Sequence, residues 1–183
     1  MLSLNKRYLI NLATAILIIA TMSLPTSTLF AKGIYQTEED FLNEVFKADV
    51  PDSQILTLKG DLRKSVEKIL KHPYSGFRIK YWKNLNQTAW ILEEIGKEKN
   101  ITFGIAISNK KISYANVLTF RETRGWEIRY PAFTEQFIGA SLSEEKLTKN
   151  IDGVSGATLS VWAMTSVVKM ALLLDEHVKN EEK

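Results

Sequence analysis

Cysteine is absent from this 183-residue sequence, and histidine occurs only twice, as His72 and His177. The absence of cysteine excludes disulfides, thiolate zinc sites, iron–sulfur clusters, a cysteine nucleophile and a lipid-modified cysteine anchor. Two histidines leave little material for a histidine metal centre or a Ser–His–Asp triad, so we interpret each as an ordinary surface or core residue. The sequence therefore predicts no metal site and no catalytic residue.

A large charge of either sign is also lacking, because 24 Lys and Arg residues stand against 21 Asp and Glu residues, for a net charge of +3. This small surplus, without a basic stripe interleaved with aromatic residues, excludes nucleic acid as a partner. Hydrophobic residues make up 45% and charged residues 25% of the chain, which is enough apolar material for a packed core. The length fits one domain with a short appendage.

The first 31 residues have the layout of a secretory signal peptide. Lys6 and Arg7 precede an apolar run from Tyr8 to Leu24, and Pro25 and the small residue Ala31 follow it. The run of 17 residues is at the short limit for a membrane-spanning helix. Two interpretations therefore stay open, cleavage after Ala31 or retention as an inner-membrane anchor, and both predict an exported, periplasmic protein. Cleavage removes two of the 24 bases and no acid, which leaves 22 bases against 21 acids.

Hydrophobic periodicity predicts an α+β fold for the rest of the chain, with helices flanking a largely antiparallel sheet of four strands. Apolar residues at helical spacing predict three helices, over 37–50, 61–71 and 159–178, and a short helical piece near 133–137. Alternation and short apolar runs predict strands over 77–83, 88–96, 101–108 and 111–120. Asn109-Lys110 between the last two predicts an antiparallel hairpin.

The segment from Asp152 to Thr158, with the sequence Asp-Gly-Val-Ser-Gly-Ala-Thr, stands immediately before the long C-terminal helix. Its glycines permit unusual backbone angles, and the free N–H groups and dipole of a helix start favour a phosphate. Spacing alone leaves another interpretation open, a capping loop in which Ser155 or Thr158 closes the helix end. Asp152 is equally open to interpretation as an ordinary turn aspartate.

This segment resembles the covalent flavinylation motif of the FMN-binding domain family. That family includes the C subunit of the sodium-translocating NADH:quinone oxidoreductase and the G subunit of the Rnf electron-transport complex. Two upstream blocks are also similar to the family: Val117–Gly125, which contains Glu-Thr-x-Gly, and Phe133–Gly139, an aromatic–Gln–Phe–x–Gly stretch. The resemblance covers residues 101–172. It departs from the family at Arg124, where a Pro is common, and at Ser160-Val161, where Thr-Ser is common.

The resemblance implies that the hydroxyl of Thr158 carries FMN through a phosphoester, attached by a flavin transferase that uses FAD and Mg²⁺. Ser155, Gly156, Ala157 and Asp152 are the other cofactor-binding residues of the motif. The small Gly156 and Ala157 let the transferase reach Thr158, and two roles stay open for Asp152 in presenting the motif: through a metal ion or by bonding loop N–H groups. By the same resemblance, contacts to the flavin ring come from three residues of the upstream block: Glu122, Thr123 and Gly125. Five aromatic residues are candidates for the walls of the ring site, with core packing as the open alternative for each: Trp126, Tyr130, Phe133, Phe137 and Trp162.

These observations divide the chain into the leader 1–31, a part over 32–100 that matches no family, and an FMN-binding part over 101–183. They predict an exported flavoprotein that exchanges electrons with a membrane or periplasmic redox protein. A flavin-binding sensory module of a membrane redox system and a subunit of an Rnf-like oxidoreductase stay open as alternatives. A self-contained enzyme is disfavoured, because the sequence offers no acid–base group matched to a small substrate.

Overall fold

The computed structural model of the protein describes residues 33–181. The predicted leader lies outside the described residues. The elements follow in this order: α1 (Glu38–Phe46), β1 (Ser53–Thr57), α2 (Gly60–Leu70), β2 (Arg78–Lys83), β3 (Gln87–Ile95), β4 (Asn100–Ser108), β5 (Lys111–Thr119), α3 (Pro131–Thr134), β6 (Leu142–Ser143), β7 (Lys146–Leu147) and α4 (Thr158–Asn180). Short 3-10 turns at Trp126–Arg129 and Glu135–Phe137 flank α3.

One antiparallel sheet with the strand order β1-β2-β3-β4-β5 organises the domain, and β6 and β7 form a separate small hairpin. The α+β class is therefore confirmed. The predicted number of strands is wrong, because the sheet has five strands and not four. Strand β1 was missed since Leu56 is its only buried residue, so this edge strand shows no alternation of apolar and polar positions.

The turn between β4 and β5 confirms the predicted hairpin. Asn109 and Lys110 both have positive φ angles, 51° and 61°, as a two-residue turn that matches the twist of the strands requires. The start of α1 is likewise determined by residues next to it in the sequence. The hydroxyl of Thr37 accepts the backbone N–H of Asp40 at 3.0 Å and so caps the helix.

The two faces of the sheet bury separate sets of side chains. On one face α1 packs Phe41, Leu42 and Phe46 against the sheet in a small cluster that includes Trp82. Gly104 in β4 makes room for this helix, because a Cβ there would lie 2.8 Å from the ring of Phe41. The other face carries the larger core, to which α2 and α4 contribute.

Helix α4 is the central element of the larger core. By length and composition it could cross a membrane, but most of its apolar part is buried in the domain. Its C-terminal half is fixed by a buried polar chain: Asp175 accepts the hydroxyl of Thr88 at 2.7 Å and the ammonium of Lys179 at 2.8 Å. This anchoring fixes the C-terminal half of the helix that begins at Thr158.

Candidate functional site

The segment Asp152–Thr158 ends at a helix start that no side chain caps. Ala157 is the N-cap residue of α4, and no side chain of the described residues forms a capping hydrogen bond there. The alternative in which Ser155 or Thr158 caps the helix is therefore wrong. The positive end of a 23-residue helix, with its first backbone N–H groups, stays available to an external acceptor such as a phosphate.

Thr158 is the first residue of α4, and its side chain is exposed. Its neighbours Ser155 and Gly156 are exposed as well, whereas Ala157 is buried at 3% exposure. Gly156 has a φ of 79°, in the left-handed region that favours glycine. The loop is thus anchored through Ala157 and turned so that the hydroxyl of Thr158 is accessible to another protein.

The Glu-Thr-x-Gly block lies directly against this helix start. Gly125 has a φ of 85°, and a Cβ at this position would lie 2.5 Å from Oγ of Ser160 and 3.5 Å from Cβ of Ala157. Only a glycine at this position lets the loop lie so close to the helix without a shift of either segment. The structure therefore brings together Gly125 and the residue next to Thr158, which are far apart in sequence.

The third block is tied to the same loop. Oε1 of Gln136 accepts the backbone N–H of Asp152 at 2.7 Å, so a side chain of the aromatic–Gln–Phe stretch holds the beginning of the motif. The carboxylate of Asp152 is exposed at the surface. All three sequence blocks that carry the family resemblance therefore meet around the start of α4.

Glu122 has a structural role that the sequence did not indicate. Its Oε1 accepts the backbone N–H groups of Lys97, Glu98 and Lys99 at 2.6, 2.6 and 2.8 Å, and so holds the turn between β3 and β4. Burial raises the pKa of this carboxyl, but the three backbone donors and the charge of Lys99 outweigh it and lower the pKa below the ordinary value of 4.5. Glu122 is therefore ionised at neutral pH.

We expect this arrangement to make stability depend on pH in acid. Because the folded-state pKa of Glu122 is depressed, its contribution is present above the unfolded-state value of 4.5 and is lost as the pH falls through the lower folded value. At neutral pH, Glu122→Ala should lower the free energy of unfolding by about 1 kcal/mol, because water can partly replace the lost acceptor. Urea denaturation of the wild type and of this variant, at neutral pH and well below pH 4.5, measures this difference in the free energy of unfolding.

Glu127→Gln is the control, since it removes the same charge from the adjacent 3-10 turn. A difference between wild type and Glu122→Ala that stayed constant from neutral to acid pH would contradict the predicted role of the Glu122 carboxylate.

A cavity of about 570 Å³ adjoins the Glu-Thr-x-Gly block. Its walls include Tyr35, Arg121, Glu122, Thr123, Trp126 and Arg129. The guanidinium of Arg129 lies 4.3 Å from the ring centre of Tyr35 and 5.1 Å from those of Trp126 and Tyr130. Its Nε is the one buried side-chain nitrogen or oxygen within residues 33–181 that lacks a hydrogen-bond partner. Aromatic walls and a guanidinium without a polar partner fit a planar ring with polar edge atoms, as in a flavin.

The five aromatic candidates divide into two groups. Phe133 and Phe137 are 3% and 0% exposed and pack against each other, with ring centres 5.4 Å apart, so the core-packing interpretation holds for them. Trp126, Tyr130 and Trp162 are 38%, 44% and 58% exposed. Trp162 lies one helical turn after Thr158, with the ammonium of Lys71 4.4 Å from its ring centre.

A larger cavity, of about 870 Å³, lies at the opposite end of α4, beside β1 and α2. Its walls include His177 and Glu181, which form a 3.2 Å ion pair when the histidine is protonated. At a rise of 1.5 Å per residue, this end of the helix is about 30 Å from Thr158. No residue of the three sequence blocks lines it, so it is not part of the candidate site.

Residues 96–173 match the model of a family described as the FMN-binding domain. This match confirms the resemblance that the sequence showed over residues 101–172, and it supports a flavin-binding protein with FMN as its cofactor. The matched segment begins in the turn between β3 and β4 and ends within α4. A comparison with curated proteins gives no match.

Two residues beside the site come from outside the blocks that the sequence singled out. Tyr35 is held at the cavity by its backbone N–H, which donates to Leu118 O at 2.8 Å, and Arg129 follows the Glu-Thr-x-Gly block in a 3-10 turn. Neither has a sequence signal of its own. The exposed Trp126 and Tyr130 that flank Arg129 are the nearest available hint, because they place an arginine among aromatic residues.

Proposed function

We propose that the protein is an exported flavoprotein that carries FMN covalently on Thr158 and exchanges electrons with a protein partner. The observation that carries the proposal is the position of Thr158 itself. It is an exposed hydroxyl at the uncapped start of a 23-residue helix, inside the segment that resembles the flavinylation motif.

The attachment needs a second protein, because a threonine hydroxyl is a poor nucleophile on its own. A flavin transferase with bound Mg²⁺ and FAD supplies the activation. In that step Oγ1 of Thr158 forms a bond to the phosphorus on the flavin side of FAD. The pyrophosphate bond breaks, the adenylate half leaves, and a base of the transferase takes the hydroxyl proton.

After attachment, the residues of this chain have simple roles. The first N–H groups of α4 and its dipole stabilise the phosphoester, which keeps one negative charge. Gly125 lets the Glu-Thr-x-Gly block approach the helix start, and Thr123, Trp126 and Arg129 line the cavity beside it. Bound FMN supplies reversible uptake of electrons.

A protein partner is favoured over a nicotinamide substrate because the sequence contains no Gly-x-Gly-x-x-Gly fingerprint. The nearly equal numbers of bases and acids in the chain after Ala31, 22 and 21, suit brief contacts with a membrane or periplasmic redox protein. The same site would serve a sensory module, or a subunit of an Rnf-like complex. Deletion of the gene for this protein separates these functions. Loss of an electron carrier should reduce electron flux through its partner, whereas loss of a sensory module should abolish only a regulatory response.

The direct test is co-expression with a flavin transferase. The denatured protein should fluoresce on a gel, and the peptide that contains Thr158 should gain the mass of FMN less water. Reduced protein should then be reoxidised by membranes from the source cell faster than by buffer alone. A peptide mass without the addition, in the presence of active transferase, would refute the covalent attachment.

Export has its own test. We expect cleavage after Ala31, so that intact mass of the protein from the periplasmic fraction gives a chain that begins at Lys32. A full-length chain in the membrane fraction would instead support the anchor formed by residues 8–24. Full-length protein confined to the cytosol would contradict both forms of the proposal.

A further inference from the structure

The guanidinium of Arg129 has no hydrogen-bond partner among the described residues, and this points to Arg129 as a further residue of the flavin site. We propose that the isoalloxazine ring, tethered through Thr158, enters the cavity beside Trp126, and that Arg129 donates a hydrogen bond to its polar edge. This inference rests on the proposed function and adds to it a residue, Arg129, that contacts the ring and tunes its potential.

The first argument is the state of the Arg129 side chain. Its Nε–H is buried without an acceptor in the part of the chain that the structure describes, and buried polar groups are almost always hydrogen-bonded in native proteins. The guanidinium is held among Tyr35, Trp126 and Tyr130, at 4.3 to 5.1 Å from their ring centres. Aromatic rings interact with the face of a guanidinium and leave its in-plane N–H donors unused. The terminal N–H groups of the guanidinium also have no hydrogen-bond partner within residues 33–181, and they are the donors that a flat ligand with acceptor atoms in the cavity would use.

The second argument is the charge of the other groups around the cavity. Arg121 also lines it, but this side chain donates to Asn100 O at 3.0 Å and to the hydroxyl of Thr102 at 2.9 Å. The carboxylate of Glu122 is bound by three backbone N–H groups of the β3–β4 turn. Arg129 is therefore the wall residue whose positive charge and donors are directed to no polar partner within residues 33–181.

The third argument is reach. Gly125 contacts the start of α4, next to Thr158, and the following residue, Trp126, is a wall of the cavity. The glycine that lies against Ala157 is thus followed directly by a wall residue of the cavity, which connects the cavity to the neighbour of the attachment point. The ring would bring carbonyl and ring-nitrogen acceptors, and the reduced ring an additional negative charge, into contact with Arg129.

Arg129 is thus a positioning and tuning residue. A nearby positive charge stabilises the reduced, more negative flavin, so removal of the charge should lower the two-electron potential. We expect Arg129→Met to weaken the preference for the reduced form about tenfold, which for a two-electron couple is about 30 mV downward. Arg129→Lys, which keeps the charge, should retain most of the wild-type potential.

The matched control is Arg124→Met, which removes the same charge from an exposed position in the same loop that does not line the cavity. The measurement is a redox titration of the fully flavinylated proteins, with attachment verified by mass. Equal shifts in Arg124→Met and Arg129→Met, or no shift in either, would overturn the inference and leave the covalent attachment standing.

A second measurement does not depend on attachment. Free riboflavin, which has the ring but no phosphate, should bind to the Thr158→Ala protein and lose fluorescence, and Arg129→Met in that background should weaken binding about tenfold. Riboflavin binding that Arg129→Met leaves unchanged and Trp162→Phe abolishes would place the ring on Trp162 and overturn the inference. Failure of covalent attachment in the wild type would refute the proposed function but not the inference on Arg129. The riboflavin titration would still test whether the cavity binds the ring.

Discussion

Thr158→Ala is expected to abolish covalent flavin completely. The substitution removes the single hydroxyl that follows Ser-Gly-Ala at the start of α4, and the neighbouring Ala157 is buried and has no nucleophilic group. Alanine is a good helix former and Thr158 is exposed, so the free energy of unfolding should change by about 0.5 kcal/mol or less. In-gel fluorescence and intact mass, after co-expression with a transferase, measure the attachment.

Two matched variants isolate the hydroxyl at position 158. Thr158→Ser keeps a hydroxyl and should retain attachment at a reduced rate, whereas Ser155→Ala removes the other exposed hydroxyl of the motif and should retain attachment fully. A Thr158→Ala protein that kept its flavin through denaturation would locate the attachment elsewhere. Loss of flavin in Ser155→Ala with retention in Thr158→Ala would move it to Ser155.

The local signals in the sequence were sufficient for most of the secondary structure. The helix start at Thr37 and the hairpin at Asn109-Lys110 depend on side-chain capping and on turn geometry within a few residues, and the structure has both. Strand β1 depends instead on pairing with β2, where Leu56 lies opposite Ile79. A strand that is stabilised mainly by such pairing has little pattern of its own to detect.

The site was predictable only in part, for a related reason. The motif before α4 could be located from its glycines and its place before a helix. By contrast, the hydrogen bonds of Glu122 to Lys97–Lys99 and the position of Arg129 beside Tyr35 join segments that are distant in sequence. Contacts of this kind follow from the packing of the whole sheet, so a single sequence carries no local sign of them.

The family match covers only part of the sheet, so strands outside the match also support the site. The match begins at residue 96, within the β3–β4 turn, but β4 pairs with β3 along nine residues, from Asn100 to Ser108. The turn itself is held by Glu122 from within the matched segment. Strands β1–β3 and helix α2 therefore provide the support on which the FMN-binding part is built.

Gly125→Ala is expected to cause the largest loss of stability among single substitutions at the site. The left-handed φ of 85° costs a residue with a Cβ about 1–2 kcal/mol. Contact of that Cβ with Oγ of Ser160 at 2.5 Å adds an overpacking cost of about 1–3 kcal/mol. The loop must then move away from the start of α4, and this displacement should also reduce flavin attachment at Thr158. Urea denaturation and in-gel flavin fluorescence measure the two effects.

Gly139→Ala provides the matched control, because Gly139 has nearly the same φ, 81°, but no atom within 4 Å of an added Cβ. It should show the backbone cost alone and full attachment. Ser160→Ala, combined with Gly125→Ala, should recover part of the lost stability, since the nearest atom is then Cβ of residue 160 at 3.3 Å. If Gly125→Ala and Gly139→Ala were equally destabilised, or if Ser160→Ala gave no recovery, the close contact between the Glu-Thr-x-Gly block and the helix start would be refuted.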